Sequence, residues 1–196
     1  NINYQSVIIT KGNHAGYYPG ASNIILKVLF DSEGEIFGAQ AIGKDGVDKR
    51  IDVIATAMRG KLKVQELQEI EITYAPPFNS AKDLVNIAGY TAENLLNGDL
   101  KMINVQDISS YISTEDATLI DVRTSLEFEK GHIDGAININ VDDLRANLST
   151  LDQSKKYVVY CQVGLRGYLA YKILSHHGFD VVNVNGGYHI WRASQF

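Results

Sequence analysis

Tyr160-Cys161-Gln162-Val163-Gly164-Leu165-Arg166-Gly167 holds the one cysteine among 196 residues, and the reading of that stretch decides the fold of the second half of the chain. Before it, "KKYVVY" is a short β-branched and aromatic run with the composition of a buried strand. After it, "GYLAYKILSHHG" sets Leu169, Ala170, Ile173 and Leu174 at helical spacing and closes on Gly178, a C-terminal glycine stop. Cys161 therefore stands where a strand hands over to a helix. Unpaired backbone N–H groups and the positive end of the helix dipole meet at such a junction, and both favour a thiolate over a thiol. Gly164 and Gly167 let the backbone curl closely around the sulfur. Arg166 adds a cation. The bland alternative is a small buried hydrophobe, the usual state of a free cysteine; the strand–Cys–Gly–Arg–Gly–helix context favours a nucleophile.

Outward from that loop, the second half alternates β and α. "ATLIDVR", "AINI", "KYVVYC" and "VVNVNGG" read as strands, and "SLEFEKG", "VDDLRANLSTL", the segment after Cys161 and "YHIWRAS" as helices. This rhythm predicts a parallel sheet flanked by helices, with active residues in loops at the carboxyl ends of strands. Asp121 and Arg123 of "IDVR" fall at such an end, where they can support the loop or form a structural ion pair. His132 in "GHIDGA" is better read as a turn-stabilising residue than as an acid or base. The adjacent His176 and His177 point apart and make a poor metal pair, and no metal site is expected. Trp191 reads as a packing residue.

The first half has a different texture. "SVIIT", "NIILKVLFD" and "EIFGAQAIG" are strand-like, the last two joined by a turn at Ser32-Glu33-Gly34 into an antiparallel hairpin. "DGVDKRIDVIATAMRG" puts Val47, Ile51, Ile54, Ala55 and Met58 on one helical face, with Lys49 and Arg50 on a solvated one. "KVQELQEI" reads as a short helix. "EITYAPPFNSAKDLVNIAGYTAENLLNG" enters extended, breaks at Pro-Pro and ends in an amphipathic helix. Antiparallel sheet plus helices is an α+β pattern, and the change of texture near "NLLNGDLKMINVQDI" predicts domains at 1–100 and 103–196.

Composition narrows the classes of function. A net charge of -5 without a Lys/Arg-rich run argues against nucleic acid and anionic membranes as main partners. No apolar run approaches the ~20 residues of a membrane span. A single cysteine excludes an internal disulfide framework and fits a reducing, cytoplasmic setting. The opening "NINYQSVIIT" lacks an initiator Met and runs at once into a strand, the texture expected of a fragment.

On "LIDVR", "EFEKGHIDGAININ", "VVYCQVGLRGYLAYKIL" and "VNVNGGYHIW", in that order, the second half resembles a rhodanese domain. The resemblance implies that Cys161 is a nucleophile carrying sulfane sulfur as a persulfide, cradled by Gln162, Val163, Gly164, Leu165 and Arg166. Rhodanese-type loops run six residues from Cys to Arg, as Cys161 to Arg166 does. Related phosphatases carry one more, so the length favours sulfur over phosphate, and no His or acidic residue in the loop stands ready as a general acid. A non-catalytic module that binds or stores a persulfide is the alternative from another class.

On "GNHAGYYPGA", "GAQAIGKDGVDKRIDVIATAM" and above all "TYAPPF" followed by "KDLVNIAG", the first half resembles the dimerisation domain of pyridine nucleotide–disulfide reductases. The branch is that of coenzyme A-disulfide reductases and persulfide reductases fused to rhodanese. The resemblance implies a homodimer, formed through residues 47–58 and 85–96. It implies FAD and NAD(P)H held by a flavoprotein half outside this sequence, since no Gly-x-Gly-x-x-Gly fingerprint opens a helix here. Coenzyme A, small thiols, persulfides and polysulfides are the implied partners. Tyr74 of "YAPP" and Tyr17, less securely Tyr18, match tyrosines that reach the partner subunit's active site, where a phenol can donate to a sulfur anion. A tyrosine packed at the dimer interface is the equal alternative.

Overall fold

The computed structural model describes residues 3–195, and the chain divides between Asp99 and Leu100 into two compact units. In the first, β1 (Gln5–Gly12), β2 (Asn23–Phe30) and β3 (Ile36–Gly43) form an antiparallel sheet in that order. The period of two in β2 drives Ile24, Leu26, Val28 and Phe30 into the core together. The turn from β2 to β3 is fixed by Asp31, whose Oδ1 accepts from the N–H groups of Glu33 and Glu35 at 2.9 and 2.8 Å.

Helix α1 (Val47–Arg59) packs on β3, and α2 (Leu84–Leu96) on β1. The buried face of α1 is Arg50, Ile54 and Ala57, rotated from the expected stripe, and Ala55 is exposed. The cause is Arg50, which is no solvated side chain but 2% exposed. Its guanidinium donates to Asp83 Oδ2 from Nε (3.0 Å) and Nη2 (2.7 Å), to the Asn13 carbonyl (2.6 Å), to Asn79 Oδ1 (3.2 Å) and, through Nη1, to the Gly46 carbonyl (3.0 Å). The other oxygen of Asp83 caps α2 by accepting from Val85 N at 3.0 Å. One ion pair thus fastens the end of β1, the start of α1 and the start of α2. "VQELQE" is a 3₁₀ segment, Val64–Glu69, tied to α2 by Asn86 Nδ2, which donates to the Leu67 and Ile70 carbonyls at 3.1 and 2.9 Å. On the surface expected to pair two copies, Val85, Ala88 and Ala92 face this unit's own core; Ile51, Met58, Ile87 and Leu95 are half-buried.

The second unit is a five-stranded parallel sheet in the order β4-β8-β7-β5-β6, built from Met102–Ile103, Asp180–Val184, Lys156–Tyr160, Thr118–Asp121 and Ile137–Asn138. Alternation along β7 sends Val158 and Tyr160 to one face and Tyr157 and Val159 to the other, where Cys161 continues the pattern. Helices α3 (Ile108–Glu115), α4 (Ser125–Glu129), α5 (Leu165–His176) and α6 (Gly187–Ala193) complete the unit. α5 ends as expected, with Gly178 at φ 82° and Phe179 N donating back to the Leu174 carbonyl. Two expectations fail. Leu169 lies on the outer side of α5, while Tyr171 joins Ala170, Ile173 and Leu174 inside. "VDDLRANLSTL" is a run of turns closed by a 3₁₀ segment, Leu148–Thr150. There Asn140 Oδ1 accepts from Asp142 N, Asn147 donates to the Asp143 carbonyl, and the backbone closes i→i+3 bonds instead of an α-helix. Among the described residues no helix is long and apolar enough to cross a membrane.

Arg50→Ala would strand the Asp83 carboxylate in a dry site, so it is expected to destabilise the first unit by about 3–5 kcal/mol, the usual cost of breaking a buried pair from one side. Urea unfolding checks this: an early transition should appear for the first unit while the second unfolds as before.

Candidate active site

Cys161 follows the last residue of β7 and precedes the glycine that opens α5, so the thiol sits at the carboxyl edge of the parallel sheet. It is 2% exposed. Gly164 N donates to Sγ at 3.1 Å. That contact requires Gly164 to adopt φ 128°, a conformation that L side chains rarely enter. The main chain of the cradle is held from the far side by the start of α6. Tyr188 N donates to the Cys161 carbonyl at 2.8 Å and His189 N to the Gln162 carbonyl at 3.0 Å. The approach is so close that a Cβ on Gly187 would lie 2.5 Å from the Cys161 carbonyl oxygen.

Asp121 and Arg123 form a buried ion pair, Nη2 to Oδ2 2.6 Å, with Nε 3.0 Å from both carboxylate oxygens. Arg123 also reaches the loop: Nη1 donates to Gln162 Oε1 at 3.1 Å and Nη2 to the Gly131 carbonyl at 2.8 Å. Its guanidinium lies 4.1 Å from the centre of the Tyr188 ring. Tyr160, fully buried, accepts from Ile133 N at 3.1 Å, and burial pushes its phenol well above the ordinary value. The pair is therefore structural and at the same time orients a cradle side chain.

Arg166 does not stand free over the sulfur. Nη1 and Nη2 donate to Glu127 Oε2 and Oε1 at 2.7 and 2.6 Å. Glu127 is in turn the N3 residue of a capping box: Thr124 N and Oγ1 both donate to its Oε2 at 3.0 Å, and its own N–H reaches Thr124 Oγ1 at 3.3 Å. Arg166's hydrogen bond, ahead of any other cause, pulls the Glu127 carboxyl from 4.5 to about 2. Reading the sequence for chemistry missed Glu127, although Thr124-x-x-Glu127 is a legible capping signature. It also missed the role of Gly186-Gly187 as the loop that clasps the cradle.

Val163 and Leu165 complete the loop, Val163 half-buried and Leu165 exposed. His132 Nδ1 lies 3.0 Å from the Phe128 carbonyl and its ring stacks on Phe128, as a turn-stabilising residue would. His177 Nδ1 sits 2.8 Å from the Ile173 carbonyl, and among the described residues no three His, Cys, Asp or Glu side chains gather into a metal site. Trp191 stacks on Tyr188.

The structure brings the candidate tyrosines of the first unit together. Tyr17 and Tyr74 are 77% and 52% exposed. The neighbouring Tyr74 side chain raises the Tyr17 phenol above its ordinary 10.0. Tyr18 packs edge-on to His14.

Comparison with known proteins matches residues 104–194 to the rhodanese-like domain and residues 1–84 to the pyridine nucleotide-disulphide oxidoreductase dimerisation domain. A coenzyme A disulfide reductase of Staphylococcus haemolyticus (strain JCSC1435) is 50% identical over 96 residues, 48% of this chain and 22% of that protein. The reduced Bacillus anthracis CoADR-RHD crystal structure superposes with a TM-score of 0.95 at 43% identity, covering 97% of this chain and 34% of that one. An NAD-dependent persulfide reductase from A. fulgidus gives a TM-score of 0.86 at 34% identity, again over 97% of this chain and 34% of that one. The chain thus spans 22% to 34% of the length of these relatives.

Two outcomes follow from the geometry. A Cβ on Gly164 would meet no atom within 4 Å, so the first cost of Gly164→Val is its φ, about 1–3 kcal/mol. The loop should relieve that strain by withdrawing its N–H from Sγ, and sulfur loading of Cys161, followed by intact mass, should slow about tenfold. Because the folded Glu127 carboxyl titrates at about 2 rather than 4.5, its pair with Arg166 adds stability that is fully present above 4.5 and is lost as pH falls through about 2. An NMR titration of the Glu127 carboxyl carbon should show its midpoint at about 2.

Proposed function

We propose, from the match of residues 1–84 to the pyridine nucleotide-disulphide oxidoreductase dimerisation domain and of residues 104–194 to the rhodanese-like domain, that the chain is the C-terminal part of a flavin-dependent coenzyme A-disulfide or persulfide reductase. In it the rhodanese part transfers sulfane sulfur through a persulfide on Cys161. The observation that carries this reading is Gly164 N–H directed at Sγ of a lone cysteine, at the sheet edge where an α/β fold places its chemistry.

The Cys161 thiolate attacks the sulfane sulfur of a donor, the donor's S–S bond breaks, and the leaving thiolate or sulfite departs with the electron pair. A new S–S bond to Cys161 forms with no net oxidation. Gly164 N–H stabilises negative charge on Sγ, and Gln162, oriented by Arg123, borders the sulfur's path. An acceptor thiol or the flavoprotein site then takes the outer sulfur.

FAD and NAD(P)H would supply reducing electrons in the intact enzyme. This chain has no glycine-rich dinucleotide turn to hold them, and its own contribution toward coenzyme A would be the Tyr17–Tyr74 hydroxyl pair, offered to the partner subunit of a homodimer. With Tyr17 kept protonated, that pair can donate to a sulfur anion or protonate a leaving thiolate. A cytoplasmic location fits a thiol kept reduced.

Cys161→Ser should abolish the mass gain of one sulfur, because a hydroxyl cannot carry sulfane sulfur, while leaving unfolding unchanged. Repeated turnover with a small thiol supports a transferase; loading once and stopping would favour the persulfide-binding module instead. In full-length protein Cys161→Ser should spare coenzyme A disulfide reduction, and Tyr74→Phe should slow it by about 100-fold, within the range of general-acid contributions, while Cys161 still loads. Loss of both reactions in Cys161→Ser would show that the two sites are not independent.

A further inference from the structure

Both arginines of the Cys161 site are neutralised by carboxylates of the same unit. Arg123 is paired with buried Asp121, and Arg166 gives both terminal nitrogens to Glu127. The Glu127 pair is about one-third exposed on each side, 32% and 33%, so it borders solvent, and the Arg166 guanidinium is close enough to feel the charge of Cys161. Thr124 donates two further hydrogen bonds to the same carboxylate, which restrain it in the pair. The carboxyl titrates at about 2 and is ionised at any working pH. Exposed apolar side chains, Leu126 and Leu165, adjoin Glu127 and Arg166 in the chain.

A donor with two negative charges gains from a free guanidinium and gains little from one already closed in a fork-to-fork pair with a carboxylate. An uncharged donor loses nothing by that closure. We propose that Glu127 is a specificity-determining residue. By holding Arg166 in a bidentate pair it withholds the loop's cation from anionic sulfur donors and directs Cys161 toward uncharged organic polysulfanes. This rests on the reading of Cys161 as a sulfur-loading nucleophile. In either case the thiolate attacks a sulfane sulfur and the leaving group takes the electron pair: sulfite leaves thiosulfate and Cys161 holds a persulfide, whereas methanethiolate leaves the central sulfur of dimethyl trisulfide and Cys161 holds a methyl trisulfide.

The test compares thiosulfate, a dianion, with dimethyl trisulfide, which is uncharged, by the kcat/KM for loading Cys161. Glu127→Gln retains the capping-box side chain, since Gln serves at N3 as Glu does, and frees Arg166 of its counter-charge. Thiosulfate loading should rise about tenfold, mostly through KM, the scale of one charge brought to bear at a partly exposed site. Dimethyl trisulfide should stay within about twofold on the same grounds. In the double variant Glu127→Gln, Arg166→Met the gain for thiosulfate should vanish, because the cation that provides it is gone. Equal changes for both donors, or a gain that survives in the double variant, would overturn the proposal. The unaltered protein supplies a test that no folding defect can obscure. Its thiosulfate loading should change by less than about twofold as salt rises from about 0.02 to 0.5 M, since a paired cation leaves little field to screen. A steep fall there would overturn the proposal too. If the unaltered protein loads from neither donor, the sulfur-transfer reading itself fails.

Discussion

A carboxylate and a guanidinium two residues apart at the end of β5, Asp121 and Arg123, are buried together, and the site is assembled on them. Two charges taken out of water are tolerable only when nearly every donor and acceptor is satisfied. Arg123 meets that demand by reaching outward: to Gln162 in the cradle, to the Gly131 carbonyl before β6, and across the face of Tyr188 in α6. Asp121 meets it by accepting the Arg123 main-chain N–H at 2.9 Å as well. The need to satisfy one ion pair thus draws three separate chain segments to the sulfur, and it does so with planar, directional bonds instead of yielding apolar contacts.

The two units use the same device for different ends. In the first, Arg50 and Asp83 lie 33 residues apart and hold a sheet and two helices in register. In the second, Arg166 of the cradle and Glu127 lie 39 residues apart, about one-third exposed. The first pair is sealed and sets architecture. The second is partly open to water.

Much of this was legible in the sequence, because period and punctuation are local. The strand–Cys–glycine–helix junction, the β2–β3 hairpin and the α5 stop at Gly178 all follow from residues within a few positions of one another. What escaped was decided at a distance. Arg50 looks like a solvated side chain until Asp83 is brought beside it, and burying that pair turns α1 away from its most apolar stripe. Glu127 gives no hint of Arg166 in its own neighbourhood, though its capping box is written locally. In "VDDLRANLSTL" the leucines fall at plausible helical spacing, but Asn140, Asp143 and Asn147 bend the backbone into successive turns. The Tyr17–Tyr74 pair was foreseeable only by resemblance, since nothing in spacing joins residues 57 positions apart among 11 tyrosines.

The depth of Cys161 has a bearing on exposure of the sulfur over a reaction cycle. Sγ is recessed to 2% exposure, with Gly164 N–H upon it. A second sulfur joined to it stands about 2 Å further along the bond. In the proposed sulfur transfer, the atom that would react on discharge is therefore not the atom that is hidden. Empty, the cysteine offers little surface to peroxide or stray disulfide. Concealment and delivery would then differ by a single bond length.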